Sequence, residues 1–397
     1  MHILMITDVY FPRVNGVSTS IKTYRAALQA KGHKVTVIAP DYGKTTDDEA
    51  GIIRIPSRGL PLDKEDRMMK AHHIYRLVKQ LQRMDIDIIH IQTPFVAHYA
   101  GLKLARILGV PKVESYHTFF EEYLYHYVPF LPKPLMKSVA RRFSKSQCNS
   151  VDAIVVPSSA MLEALRGYGV EATAEIIPTG LNLRRFKGGD GAAFRNKYGI
   201  EKDRPLLLNV GRVAHEKNID FLIHALQEVT KAIPDILLVI VGEGPAEKHL
   251  HALVKERGLQ ANVRFIGYLD RDTELKDCYC AGDIFVFASR TETQGLVLLE
   301  AMALGVPVIS TAVMGTRDII EPEMGAIHAL EEVFDFSTKI VSTIKDEKLL
   351  ASLSEDAQQF SQGWSEQCFT RKMLGFYSDV IAKHEAHCAT DMVREHI

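Results

Sequence analysis

Cysteine is scarce in this chain: five in 397 residues, at positions 148, 278, 280, 368 and 388. An odd, scattered set builds neither a disulfide framework nor the ligand spacing of a structural zinc site. Cys278 and Cys280 stand close together, but no two further ligands accompany them, so no metal site is expected. Long apolar runs are missing as well. The opening MHILMITD meets an aspartate after a few apolar positions, short of a secretory core. No window reaches the ~18 apolar residues of a spanning helix. Excess charge of either sign is absent too. Lys plus Arg number 48 against 49 Asp plus Glu, which excludes a general affinity for nucleic acid or other polyanions. The expectation is a cytoplasmic protein whose membrane contact is peripheral, at the inner face of the cytoplasmic membrane.

What is present is alternation. Short apolar runs at residues 2–6, 35–39, 86–91, 112–116, 153–156 and 175–177 read as strands. Helical patterns lie between them, at 19–30, 73–82 and 159–168 for example. The pattern restarts after a glycine-rich stretch at 183–191 and runs through 205–210, 236–241, 263–266, 283–288 and 306–310. Strand and helix in turn predict an α/β fold with two Rossmann-like parallel-sheet domains. We divide the chain into residues 1–190, residues 200–365, and a C-terminal helical segment, 366–397, that returns to the first domain. Such sheets bind ligands beyond the C-terminal ends of their strands, here in a cleft between the domains.

The most informative stretch is TETQGLVLLEAM, residues 291–302. It follows a buried strand and opens a helix that stops at Gly305-Val306-Pro307. A helix start after a strand is an anion site, because unpaired backbone N–H groups and the helix dipole face the loop. Glu292 stands at its mouth. Glu300 lies more than a turn inside the helix, too far to share one metal with Glu292. Two separated carboxylates beside a phosphate seat suit sugar and ribose hydroxyls, the parts of a nucleotide sugar.

Gly211 and Arg212 follow the strand 205–210, with Lys217 five residues beyond Arg212. A planar guanidinium and a compact ammonium at a strand end clamp a diphosphate and stabilise it as it leaves. Gly242 closes another strand and permits close backbone approach, although a plain turn explains it better. Tyr268 and Leu269 end a third strand, where backbone groups and the Tyr268 ring suit a nucleobase. In the first half, Gly16 and Val17 lie between a strand and a helix, and Gly16 lets backbone reach a phosphate. Tyr116, His117, Glu121 and Tyr123 follow the strand 112–116, with His117 placed to position a sugar or assist proton transfer. Residues 134–148 carry Lys137, Arg141 and Lys145 one turn apart, with Arg142 beside them and an apolar stripe of Leu135, Val139 and Phe143. That is a basic amphipathic helix suited to an anionic membrane surface; an ordinary surface helix is the alternative.

Together these residues resemble the retaining glycosyltransferases of family 4, which have the GT-B architecture. The resemblance covers essentially the whole chain and is anchored on Gly211-Arg212 with Lys217 and on Glu292 through Glu300. It implies transfer of a sugar from a nucleotide donor with retained anomeric configuration and no required divalent metal or other cofactor. By position, Arg212 and Lys217 hold the donor diphosphate, Glu292 the transferred sugar and Glu300 the ribose. Thr293, Gln294, Gly295, Leu296 and Val297 line the donor at the helix start, and His117 lies near its sugar. Asn15 replaces the first of the family's usual paired glycines, and Gln294 stands where an aromatic residue or proline is common.

The Glu-Thr-Gln-Gly variant, with HTFFEEY at 117–123, looks most like bacterial diacylglycerol glycosyltransferases. The expected reaction moves a hexose, glucose from UDP-glucose, to a membrane lipid hydroxyl such as that of diacylglycerol. Val17, Tyr116, Glu121 and Tyr123 would face the acceptor. No side chain stands out as a nucleophile for double displacement, so attack on the leaving-group face is favoured. Three alternatives stay open: a soluble or polyprenyl-linked glycan acceptor, another GT-B reaction such as phosphorolysis, and a sugar-nucleotide-binding protein without turnover.

Overall fold

The computed structural model describes residues 1–43, 50–59, 67–117, 133–271 and 273–395. Fifteen strands are described. They are β1 (His2–Ile6), β2 (Lys34–Pro40), β3 (Ile52–Ile55), β4 (Ser57–Gly59), β5 (Arg67–Met69), β6 (Ile88–Ile91), β7 (Lys112–Ser115), β8 (Ala153–Val156) and β9 (Thr173–Ile176), then β10 (Leu206–Val210), β11 (Leu237–Val241), β12 (Val263–Gly267), β13 (Ile284–Phe287), β14 (Val308–Ser310) and β15 (Ala326–His328). They form a seven-stranded sheet in the order β3-β2-β1-β6-β7-β8-β9, a six-stranded sheet in the order β12-β11-β10-β13-β14-β15, and the hairpin β4-β5. Every pairing within the two large sheets is parallel. The α/β class with two parallel sheets, expected from the alternating pattern, is what is found.

The chain divides into two compact units, Met1–Gly180 with Glu366–Ile397, and Leu181–Ser365. In the first, β1 sits between β2 and β6 and starts the order in both directions. Ile3 of β1, Val37 of β2, Ile88 of β6 and Val113 of β7 are completely buried. The helix Glu366–Glu395 belongs to this core: Met373, Tyr377 and Val380 pack with Ile3, Val113 and Val155. The Tyr377 hydroxyl lies 2.6 Å from His90 Nδ1, while Lys372 Nζ donates to the Ile176 carbonyl at 2.8 Å.

In the second unit, successive side chains of β10 point to opposite faces, as a strand requires. Leu206, Leu208 and Val210 join Val239, Phe285 and Phe287 in one core. Leu207 joins Leu238, Ile240, Ile284 and Val286 in the other. Each such residue contributes roughly 1.5–3 kcal/mol by leaving water, which explains why these strands read as continuous apolar runs. Asn209, buried on the second face, is satisfied by donating to the Val286 carbonyl at 2.9 Å.

Local differences from the sequence reading have local causes. The first helix spans Gly16–Ala30 rather than starting at residue 19. Asn15 caps it in a reciprocal box: its side chain accepts from the Ser18 amide at 2.9 Å, and Ser18 Oγ accepts from the Asn15 amide at 2.9 Å. The pattern at 73–82 is two short helices, Ala71–Arg76 and Val78–Leu81, separated at Leu77 by an i→i−3 bond to Ile74.

Candidate functional site

In the second unit the strand order reverses between β10 and β13, so the loops after those two strands diverge. Such a switch point is where parallel sheets seat ligands. Gly211–Lys217 follows β10, and Ser289–Gly295 follows β13. The short helix His215–Lys217 ends at Asn218, which is left-handed (φ 55°) and buried, and which donates to the Ala288 carbonyl at 3.2 Å and to Glu331 at 3.1 Å. That anchor ties the first loop to the end of β13. It brings Lys217 into an ion pair with Glu292, each side chain about four-fifths buried. Arg212 is exposed, with its guanidinium 3.7 Å from Glu216.

Gly295 ends the second loop at φ 92° and starts the helix Leu296–Ala303. That conformation favours glycine. A Cβ there would also press on the Thr316 methyl at 3.0 Å. The turn after β14 holds the loop from behind: the Gly315 amide donates to the Glu292 carbonyl at 2.9 Å, and any side chain on Gly315 would collide with the Thr293 carbonyl. Thr293 stands beside that clamp, and Gln294 is buried within it. Leu296 and Val297 supply the first amides of the helix.

Glu300 is more enclosed than sequence alone suggests. One carboxylate oxygen pairs with Arg271 and the other accepts from Tyr279 Oη at 2.9 Å. Burial raises its pKa, against the pull of Arg271 and the Tyr279 hydrogen bond. Arg271 is a partner that sequence reading missed. Tyr268 is two-thirds exposed, whereas Leu269 is buried and offers only backbone.

Gly242 takes on a different meaning. Its φ is 128°, and a Cβ there would be driven into the Gly211 carbonyl. Its bareness serves the packing of the β11 loop against the β10 loop, and so the placement of Arg212. Direct contact with a ligand is not needed to explain it.

In the first unit the order reverses between β1 and β6, and the informative residues follow β1, β6 and β7. Asp8, after β1, accepts from Thr93 Oγ1 at 2.8 Å and from the Ala97 amide at 3.2 Å, at the start of the helix Val96–Leu108. Burial pushes its pKa up to about 6. His117, after β7, donates from Nε2 to Gln92 Oε1 at 3.0 Å, which leaves Nδ1 as an acceptor. Desolvation lowers its pKa to about 4, so the ring is neutral. Gln92 and Asp8 went unnoticed in the sequence because nothing in their spacing links them to partners 25 and 85 positions away.

Gly16 and Val17 open the first helix, and space around Gly16 is free, with nothing within 4 Å of an added Cβ. Tyr116 is buried, with its hydroxyl 2.7 Å from Ser144 Oγ. Glu121 and Tyr123 lie outside the described residues. Lys137, Arg141, Arg142 and Lys145 stand on the helix Lys133–Cys148, where Leu135 and Val139 are exposed. Among the described residues no helix is long and apolar enough to cross a membrane.

Comparison with known proteins gives the setting of this geometry. The description Glycosyltransferase Family 4 matches residues 14–185, and Glycosyl transferases group 1 matches residues 190–360. An alpha-monoglucosyldiacylglycerol synthase of Streptococcus pneumoniae is 32% identical, over 96% of this chain and 86% of that protein. The sucrose-phosphate synthase of Thermosynechococcus elongatus superposes with a TM-score of 0.77 at 22% identity, over 96% of this chain and 99% of that one. HepE of Anabaena, in complex with UDP-glucose, does so with a TM-score of 0.74 at 18% identity, over 96% and 100%. At those identities the two structures speak to the fold alone.

Proposed function

This chain belongs to glycosyltransferase family 4, the retaining nucleotide-sugar transferases of GT-B fold, and from that premise we propose that it moves glucose from UDP-glucose to the free hydroxyl of diacylglycerol. The observation that carries the reading is the Lys217–Glu292 pair at the β10/β13 switch point, beside a helix start. A cation paired with a carboxylate beside a helix start can exchange it for a diphosphate. Lys217 then stabilises charge on the leaving phosphate with Arg212, and Glu292 is freed for hydroxyls of the sugar. The amides of Gly295, Leu296 and Val297 add the field of the helix start.

Glu300 takes the ribose diol once Arg271 yields, and the exposed Tyr268 ring suits the base. His117, neutral and with a free acceptor nitrogen, accepts from a sugar hydroxyl. The proton of the acceptor hydroxyl passes to the departing phosphate oxygen, since no side chain is placed in the reading as a covalent nucleophile. No divalent metal enters this scheme. The acceptor class follows from the S. pneumoniae relative's description together with the cationic helix Lys133–Cys148, which suits an anionic membrane. Val17 is the described residue that this reading places on the acceptor side, and Gly16 beside it offers backbone to a phosphate.

A panel tests this directly. Radiolabelled UDP-glucose, UDP-galactose and GDP-mannose are each offered with diacylglycerol, a polyprenyl phosphate or a soluble glycan, in EDTA. The reading requires organic-phase label from UDP-glucose and diacylglycerol above all other pairs. Preference for a glycan acceptor would leave the family standing and discard the lipid.

A further inference from the structure

The loops that carry Lys217 and Glu292 leave different strands, β10 and β13, yet one side chain from elsewhere holds both. Glu331 follows β15, at the edge of the six-stranded sheet. Its Oε1 accepts from Asn218 Nδ2 at 3.1 Å, and Asn218 is the residue after Lys217. Both of its oxygens also accept from Arg290 Nε, at 2.9 and 3.1 Å, and Arg290 Nη2 donates to Oε1. Arg290 in turn stands just before Thr291 and Glu292. The two loops meet directly as well: the Arg290 amide donates to the Glu216 carbonyl at 3.4 Å, and Ser289 Oγ to the same oxygen at 3.5 Å.

Glu331 is itself firmly seated. Beside it the Ala329 amide donates to the Ser310 carbonyl at 2.9 Å, tying the segment to the end of β14. The Leu330 amide donates to Asp335 Oδ2 at 2.7 Å, an oxygen that also receives Lys339 Nζ at 2.9 Å, within the helix Val333–Lys345. The hydrogen bonds from Arg290 hold the Glu331 carboxyl below its usual range, so it stays ionised at neutral pH. Arg290 is largely exposed, and an ion pair of that kind adds little stability. A shift of about an ångström in groups around a reacting diphosphate costs far more, in rate.

We propose that Glu331 is a positioning residue for transfer: it clamps Asn218 and Arg290 together and so fixes Lys217 and Glu292 relative to each other. The proposal rests on the reading of Lys217 and Glu292 as donor-site groups. A misaligned pair fails where charge develops on the leaving phosphate. The nucleoside, assigned to Glu300 and Tyr268 on other segments, keeps its contacts. Loss of the clamp therefore falls on kcat and spares the donor KM.

The test compares the full chain with Glu331→Ala, Glu331→Gln, Arg290→Ala and the double variant Arg290→Ala/Glu331→Ala. Initial rates are taken with the donor and acceptor pair that the unaltered chain uses fastest, beside thermal melting of the same preparations. Glu331→Ala should lower kcat by about 10–100-fold with donor KM within about twofold. Glu331→Gln keeps an acceptor for Asn218 but loses the charge facing Arg290, so its kcat should fall only about threefold. Arg290→Ala should lower kcat by itself and add little on top of Glu331→Ala, because the two share one contact. Wild-type kcat in Glu331→Ala would overturn the proposal. So would a loss confined to donor KM, a loss matched by unfolding at the assay temperature, or no recovery in Glu331→Gln. If Glu331→Ala does not fold, Glu331→Gln, of the same shape, decides: wild-type kcat in it would overturn the clamp. Failure of the proposed function is a separate result, in which the unaltered chain prefers another donor or acceptor to UDP-glucose and diacylglycerol.

Discussion

Replacing Lys217 with methionine keeps most of the side chain and removes its charge. The structure predicts very different losses in stability and in rate. Lys217 and Glu292 retain 20% and 22% side-chain exposure, so water still screens the pair. Screened pairs are worth about 0–1 kcal/mol, which for a unit of this size moves the melting temperature by no more than about 4 °C. A charge aimed at a leaving diphosphate acts where charge develops, and losing one such group costs roughly 3–4 kcal/mol, or 10²–10³ in kcat. The assay is initial-rate transfer from UDP-glucose at saturating diacylglycerol, beside thermal melting of the same preparations. Glu292→Gln and the double variant complete a cycle. Because the two side chains share one contact, the double variant should lose less than the product of the single losses. A kcat within about threefold of wild type, or a rate loss matched by unfolding, would refute the assignment.

Three further outcomes follow from the geometry. Gly242→Ala forces a Cβ into the Gly211 carbonyl at an unfavourable φ, and should cost about 3 kcal/mol of stability and lower transfer by displacing Arg212; an unchanged denaturation midpoint would contradict it. Asp8, with a folded pKa of about 6 against 3.8 in model peptides, favours the fold while protonated. That contribution is whole below about pH 4 and is lost as pH rises through about 6. Asp8→Asn should therefore exceed wild type by up to about 3 kcal/mol at neutral pH and match it near pH 4 in denaturant titrations; a pH-independent difference would be the wrong result. Tyr377→Phe leaves His90 Nδ1 without its partner and should cost about 1–3 kcal/mol by calorimetry, a loss that stays absent only if the bond contributes nothing.

Much of this architecture is legible in the sequence because strands buried on both faces must be apolar throughout. Runs such as Leu206–Val210 and Ile284–Phe287 announce themselves in that way. The hairpin Ser57–Gly59 with Arg67–Met69 does not, since three-residue strands with polar side chains carry no periodicity. Ala326–His328 escapes for the same reason of length, although it closes the edge of a sheet. At the candidate site, Glu292, Gly295 and Lys217 were readable because each stands in the loop that follows an apolar strand. The residues that constrain them were not. Arg271 and Tyr279 reach Glu300 from 29 and 21 positions away, and Gly315 reaches Glu292 from a turn after another strand. Such pairings exist only once the sheet order brings loop ends together. Packing around two residues read as ligand contacts was equally hidden: Tyr116 is buried, and a Cβ on Gly242 would meet the Gly211 carbonyl.

The central claim is retaining transfer onto a lipid hydroxyl, and the most direct measurement is the anomeric configuration of the purified product. Glucolipid formed from UDP-glucose and diacylglycerol, with EDTA present, is isolated and its anomeric proton examined by NMR. The account predicts an α-linked glucosyl diacylglycerol, the configuration of the donor. A β-linked product, or label that leaves UDP-glucose only as free glucose, would contradict it.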